Sequence, residues 1–149
     1  MLAAALPAAL AAQQEPSTYP ELRADAFFAN GTTAQGGVGL VIPAGVYVRV
    51  GLVGAAGESW RDGSSSASGR VDVVARFLLD PLRETDVAFS FGGGLSAPID
   101  RDGFRTPYLT IVLDVEGRRR GGFTPALELG LGGGARVGFV LRRSPPRWR

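Results

Sequence analysis

The stretch Leu109-Thr110-Ile111-Val112-Leu113-Asp114-Val115-Glu116 places a large apolar side chain at every second position. Its odd-numbered positions are leucine, isoleucine, leucine and valine, whereas Asp114 and Glu116 lie on the even-numbered positions. Successive side chains of a β-strand point to opposite faces, so this pattern predicts a strand with one apolar and one polar face. Which of the two faces meets solvent decides between a membrane barrel and a soluble one.

The same alternation runs from about residue 22 to residue 141, and every charge in the predicted strands falls on one parity. The opposite parity carries valine, leucine, isoleucine and phenylalanine, with no ionisable group in any predicted strand. The charged parity supplies the candidate site residues, which are Arg23, Asp25, Arg49, Arg70, Asp72, Arg76, Asp114, Glu116, Glu128 and Arg136.

The alternating segments predict eight strands, most of them close to the roughly 9–11 residues that a tilted strand needs to cross a bilayer. The parity also continues through the three glycines at 132–134, so residues 123–142 are either a hairpin or one long bent strand. The predicted strands are 21–29, 33–42, 46–57, 68–79, 86–97, 107–116, 123–131 and 135–142.

The connections between these strands resemble turns. Those at 30–32, 43–45 and 132–134 have three residues each and contain glycine, which is a common hairpin solution. An odd number of loop residues also keeps each face of the sheet chemically uniform across the turn. Two connections are longer, at 58–68 and 97–106.

Composition excludes several classes of function. A chain of 149 residues is enough for one domain. It contains no cysteine and no histidine, which excludes a disulfide framework, a thiolate nucleophile, a serine–histidine triad and a histidine metal site. All 16 basic residues are arginine, they are spread along the chain, and the net charge is only +2, so a nucleic-acid partner has no support. We therefore expect no enzyme, cofactor or metal.

The chain divides into four segments. Residues 1–12 are apolar, residues 13–20 form a short lead, residues 21–142 form the predicted barrel domain, and residues 143–149 form a Pro/Arg tail. The first segment, with its Ala9-Leu10-Ala11 triplet, is similar to the apolar region and cleavage site of a secretory signal peptide, although it lacks a positively charged start. A disordered or helical alanine-rich tail is the alternative. There is no run of about 18 apolar residues to form a transmembrane helix.

The charged face has the composition of a barrel interior. Glycine, serine and threonine occupy much of it, and its five arginines equal its five carboxylates in number. Small side chains between a few long ones suit a narrow barrel, and buried charges are tolerable only in pairs. An arginine facing lipid at the bilayer midplane would cost about 2–4 kcal/mol, so the apolar face suits lipid. We predict an all-β fold, an antiparallel up-and-down β-barrel of about eight strands of the membrane type. The predicted ion pairs join three arginines (Arg49, Arg76, Arg136) to three carboxylates (Asp72, Asp114, Glu128).

By this alternation, its signal-like start and its turn spacing, the chain resembles the small eight-stranded outer-membrane barrels of the OmpA and OmpX type. The resemblance implies a place in the bacterial outer membrane, contact with outer-membrane lipid, and a non-catalytic structural or surface-interaction role. It puts the connections 58–68 and 97–106 outside the cell, as candidates for contact with a surface partner. Barrels of this type usually end in a C-terminal aromatic residue, whereas this chain continues after Leu141 to Trp148 and Arg149.

Other interpretations remain open. A secreted or periplasmic soluble β-barrel would use the apolar face to enclose a small lipophilic ligand. Asp114 and Glu116 are spaced as paired carboxylates for acid–base chemistry, but ion pairing with the arginines of the same face is favoured. The glycine-rich stretches 92–94 and 132–138 match no phosphate-binding loop. Asp100-Arg101-Asp102-Gly103 lacks the glutamate that closes a calcium loop, so it is interpreted as a turn.

Overall fold

The computed structural model describes residues 17–82 and 84–143, which fold into nine β-strands. The segment 1–12, and all of the tail except its first residue, lie outside the described residues. Within those ranges, none of the chain forms a helix long and apolar enough to span a bilayer. The strands are β1 (Tyr19–Phe28), β2 (Thr32–Pro43), β3 (Val48–Arg61), β4 (Ser64–Leu78), β5 (Ala88–Asp100), β6 (Gly103–Phe104), β7 (Tyr108–Glu116), β8 (Phe123–Leu131) and β9 (Ala135–Arg143).

Eight of these strands close into an antiparallel barrel, which confirms the predicted fold. Around the barrel the order is β1, β2, β3, β4, β5, β7, β8 and β9, and β9 pairs with β1 to complete the circle. The two-residue β6 pairs only with the end of β5. The question at residues 123–142 is settled as a hairpin, because Leu131 lies opposite Ala135 across the three glycines.

The prediction of a long loop at 58–68 is wrong. β3 continues to Arg61 and β4 begins at Ser64, so the strands are joined by a two-residue turn. Asp62 and Gly63 have φ angles of 50° and 76°, and a two-residue turn of type I′ requires positive φ at both central positions. The serine-rich start of β4 has no apolar alternation, and it is a strand because its backbone pairs with β3.

The prediction of an open loop at 97–106 is also wrong in part. β5 continues to Asp100, which lies opposite Gly103 in a small hairpin with β6. The Asp100 carboxylate accepts hydrogen bonds from the Arg105 side chain and from the Asp102 backbone N–H. Both bonds favour the charged form and lower the pKa of Asp100 below its usual value. A folded hairpin therefore projects where the alternation pattern ends.

The apolar face of the barrel points outward and the charged face points inward. Leu109 and Ile111 are 76% and 67% exposed, whereas Asp72, Asp114 and Glu128 are 0% exposed. The soluble alternative required the apolar side chains to line an internal ligand cavity. That requirement is not met, because these side chains lie on the outside of the barrel.

The interior is not uniformly polar. Five valines on the charged parity are at most 1% exposed and fill space among the ionised groups. The alternation pattern does not predict them, because a strict alternation places every apolar side chain on the outer face. These valines point inward from five different strands and are Val41, Val53, Val74, Val112 and Val140.

Candidate functional site

The candidate functional site is the charged interior of the barrel, and the structure places all ten predicted site residues there. Nine of them are at most 5% exposed, and the Arg49 side chain is 18% exposed near one end of the barrel. They come from six strands, so the network ties together most of the barrel wall. The ten are Arg23 and Asp25 on β1, Arg49 on β3, Arg70, Asp72 and Arg76 on β4, Asp114 and Glu116 on β7, Glu128 on β8 and Arg136 on β9.

Glu128 is the centre of this network. Its carboxylate accepts hydrogen bonds from Arg23 at 2.5 Å and from Arg136 at 2.6 Å, and a third from Arg76. These arginines stand on three different strands, β1, β9 and β4. A buried carboxylate carries a large desolvation cost, which only charged partners with good geometry can offset. The three guanidinium groups supply those partners.

A second group of charges lies towards the end of the barrel that carries the β1–β2 turn. Arg70 binds the members of this group. It donates to Asp72 at 2.8 Å, to Gln35 at 2.7 Å, and to Asp25. Asp72 also accepts from Arg136 at 2.9 Å and from the Ser96 hydroxyl at 2.6 Å. Gln35 and Ser96 were not predicted as site residues. Their parity is that of the charged face, so position alone could have indicated them.

Towards the opposite end, Arg142 binds three carboxylates. It lies 3.1 Å from Glu21, 3.0 Å from Asp114 and 2.7 Å from Glu116. Glu21 and Arg142 were missed in the sequence, although both lie on the charged parity within the predicted barrel domain. With them the inward set has six arginines and six carboxylates, which keeps the charge balance that an enclosed polar core requires.

The predicted ion pairs need one correction. Arg76 contacts Asp114 and Glu128, and Arg136 contacts Asp72 and Glu128. Arg49 does not join these carboxylates and lies 2.9 Å from Glu116 instead. The reason is axial position, because Arg49 stands near the start of β3 and Glu116 at the end of β7, which meet at the same end of the barrel.

The paired carboxylates Asp114 and Glu116 are both held by arginine. Arg142 binds the two of them, and Arg49 adds a second contact to Glu116. This arrangement makes both carboxylates members of ion pairs and favours a structural role over acid–base chemistry. Among the described residues, no group of three or more acidic side chains is placed to hold a metal ion.

A polar cup of about 240 Å³ opens at the end of the barrel that carries the β1–β2 turn. The Phe27 ring lines the cup, with the Arg70 guanidinium 4.6 Å and the Arg136 guanidinium 5.7 Å from the ring centroid. Phe27 lies on the charged parity, as the five interior valines do, so its parity places it inside the barrel but does not by itself indicate the cup. The neutral side chains that line the cup include Phe27, Thr33, Gln35, Ser59, Ser68 and Tyr108, and two arginines, Arg61 and Arg70, line it as well.

Comparison with solved structures identifies the architecture. The N-terminal β-barrel domain of Pseudomonas aeruginosa OprF matches with a TM-score of 0.61 and 14% sequence identity, over 86% of this chain and 98% of that domain. The chain has the fold of a small OmpA-type outer-membrane barrel. No protein-family model matches the sequence, and no curated protein matches it either. The expected resemblance is therefore confirmed in the fold.

Glycines in the barrel wall make room for the charged side chains. A Cβ atom at Gly138 would lie 2.2 Å from the Asp25 carboxylate, and one at Gly51 would lie 2.6 Å from the Arg76 guanidinium. Both distances are far shorter than van der Waals contact. The polar face is rich in glycine because its few long side chains need that space.

Replacing Gly138 by alanine should lower the free energy of unfolding by about 1–3 kcal/mol, because the new methyl group displaces a carboxylate that Arg23 and Arg70 hold in place. Gly54→Ala is the matched control, since a Cβ atom there meets nothing within 4 Å. Urea unfolding of the refolded protein measures both. Equal midpoints for the two variants would show that the interior is not packed as described.

Proposed function

We propose that this chain is an integral protein of the bacterial outer membrane, with a structural or surface-interaction role and no catalytic activity. The observation that carries the proposal is the outer face of the barrel, where side chains such as Leu131 and Val38 are 65% and 62% exposed. Soluble monomers rarely expose contiguous apolar patches larger than a few hundred Å². Hydrocarbon around the barrel would remove the cost of this surface.

Strand length and closure support the same proposal. The barrel strands have 9 to 15 residues, and a tilted strand needs about 9–11 to cross a bilayer. Pairing of β9 with β1 leaves the barrel wall without an open edge. In hydrocarbon an unpaired backbone group costs several kcal/mol, so a closed barrel is one of the few structures that can span a membrane.

An aromatic cluster lies on the outer face near the start of β3. The Tyr47 and Phe77 rings stack with centroids 5.8 Å apart, and Phe91 lies 5.7 Å from Phe77. All three side chains are at least 42% exposed. Aromatic side chains of membrane barrels concentrate at the levels of the lipid headgroups. The cluster is consistent with such a level at this end.

The ion-paired interior supports a structural role over transport. An eight-stranded barrel is just wide enough for side chains to fill, and here arginines, carboxylates and valines occupy that space. The β3–β4 hairpin at 58–68 and the small β5–β6 hairpin at 97–106 lie at the same end of the barrel. We propose these two hairpins as the surfaces that would contact a partner outside the cell.

Fractionation tests this proposal. The full chain is expressed in a Gram-negative host, the outer membrane is separated, and the membranes are washed with urea. We expect the protein to sediment with the outer membrane and to resist the wash. Moving its apolar outer face from lipid into water would carry a large free-energy cost. Recovery as a soluble periplasmic protein, or release by urea, would refute membrane integration.

A further inference from the structure

We infer that the cup defined above is a binding site for one neutral sugar ring, either a free hexose or the terminal unit of a glycan. A pyranose has an apolar face of C–H groups and a rim of hydroxyl groups that both donate and accept hydrogen bonds. A matching site needs an aromatic surface and neutral polar groups around it. The cup has both, and this inference does not depend on the proposed place in the membrane.

The aromatic surface is held rigid before any ligand binds. Phe27 has two guanidinium groups close to its ring, those of Arg70 and Arg136. A Cβ atom at Gly133 would lie 2.5 Å from the Tyr108 ring, so this ring packs directly on the β8–β9 turn. Rigid surfaces lose little conformational entropy on binding, which is a condition for useful affinity at a small site.

The polar groups of the cup are also fixed in orientation. The Gln35 amide accepts from Arg70 at 2.7 Å and donates to Ser68 at 2.8 Å. The Thr33 hydroxyl donates to Ser59 at 2.9 Å. An amide oxygen has two lone pairs and an amide nitrogen two hydrogens, so these bonds use half of the capacity of Gln35. The remainder matches the mixed donors and acceptors of a sugar rim.

Charge and size favour a neutral ligand with one ring. Arg70 is neutralised by Asp25 and Asp72, so it is a weak attractant for anions. Arg61, which also lines the cup, is exposed to solvent, where salt screens its charge. The cup has a volume of about 240 Å³. Pockets for drug-sized ligands are larger, at about 300–1,000 Å³. An oligosaccharide would therefore enter with its terminal ring only.

The test uses the full chain refolded in phosphocholine micelles, which contain no sugar. The probes are the methyl pyranosides of glucose, galactose and mannose, followed by saturation-transfer NMR. We expect transfer to the ring C–H protons of at least one probe at millimolar concentration, the range for a small site with few contacts. Absence of transfer for all three, or binding of sulfate or phosphate in preference to every sugar, would overturn the inference.

Variants locate the binding. Tyr108→Leu removes an aromatic ring and should weaken the affinity about tenfold. Thr33→Val removes a hydroxyl of the rim with little change of shape and should weaken it as well. Thr32→Val is the matched control, because Thr32 is the neighbouring exposed residue and does not line the cup. Equal affinity for the wild type and Thr33→Val and Tyr108→Leu variants would place binding elsewhere and refute the site.

Discussion

Replacing Glu128 by leucine is expected to lower the free energy of unfolding by about 3–5 kcal/mol, which is the usual cost of breaking a buried ion pair by removing one partner. The substitution leaves Arg23, Arg76 and Arg136 in the interior without the carboxylate that they share. Their remaining partners already bind other arginines, so the excess positive charge has no local compensation. Urea unfolding in micelles, followed by tryptophan fluorescence, measures the change.

The matched control is Asp102→Asn. Asp102 pairs with Arg105 at 3.1 Å, but both side chains are more than half exposed, and exposed pairs contribute at most about 1 kcal/mol. Glu128→Gln tests the same point with little change of shape, and its effect should have the same direction as that of leucine. If Glu128→Gln and Asp102→Asn unfold at the same urea concentration, Glu128 is not the centre of a buried network.

Replacing Leu127 by arginine is expected to destabilise the protein in lipid vesicles by about 2–4 kcal/mol, the cost measured for an arginine near the midplane of a bilayer. Leu127 lies in the middle of β8, opposite Phe139 on β9 and Val115 on β7. Its side chain is 45% exposed on the outer face. Refolding into vesicles and equilibrium unfolding by guanidinium measure the difference.

Phe104→Arg is the control for this substitution. Phe104 is 71% exposed and stands on β6, which pairs only with the end of β5. The cost of an arginine on the lipid face falls to about 0–1 kcal/mol near the membrane surface. The free energy of unfolding of this variant should therefore resemble that of the wild type. A neutral effect of Leu127→Arg would mean that water, not lipid, covers the outer face.

Much of the fold follows from alternation alone, because a barrel wall with one apolar and one polar face requires strict period-two patterning. The extension of β3 and β4 to Arg61 and Ser64 could not be found in this way. In this extension, β3 and β4 project past the apolar band. Pairing of their backbones, rather than burial of apolar side chains, therefore stabilises them. The Asp62-Gly63 dipeptide was the local signal, since it suits a two-residue hairpin turn.

The membership of the interior network was more predictable than its pairing. Parity alone assigns a side chain to the inside, and it would also have identified Glu21 and Arg142. Pairing depends on how far strands are staggered along the barrel axis, and sequence does not state that stagger. For this reason Arg49 pairs with Glu116, which belongs to a strand that is distant in the chain. The cup depends in addition on where several turns converge.

The most direct test of the central claim is to measure which solvent covers the outer face. The native chain contains no cysteine, so a spin label can be placed at Leu127→Cys and, as a control, at Phe104→Cys without background. In lipid vesicles, we expect the label at position 127 to collide more with oxygen, which dissolves in hydrocarbon, than with a water-soluble nickel complex. The label at position 104 should show the opposite preference. Greater access of the nickel complex at position 127 would contradict a lipid-facing barrel.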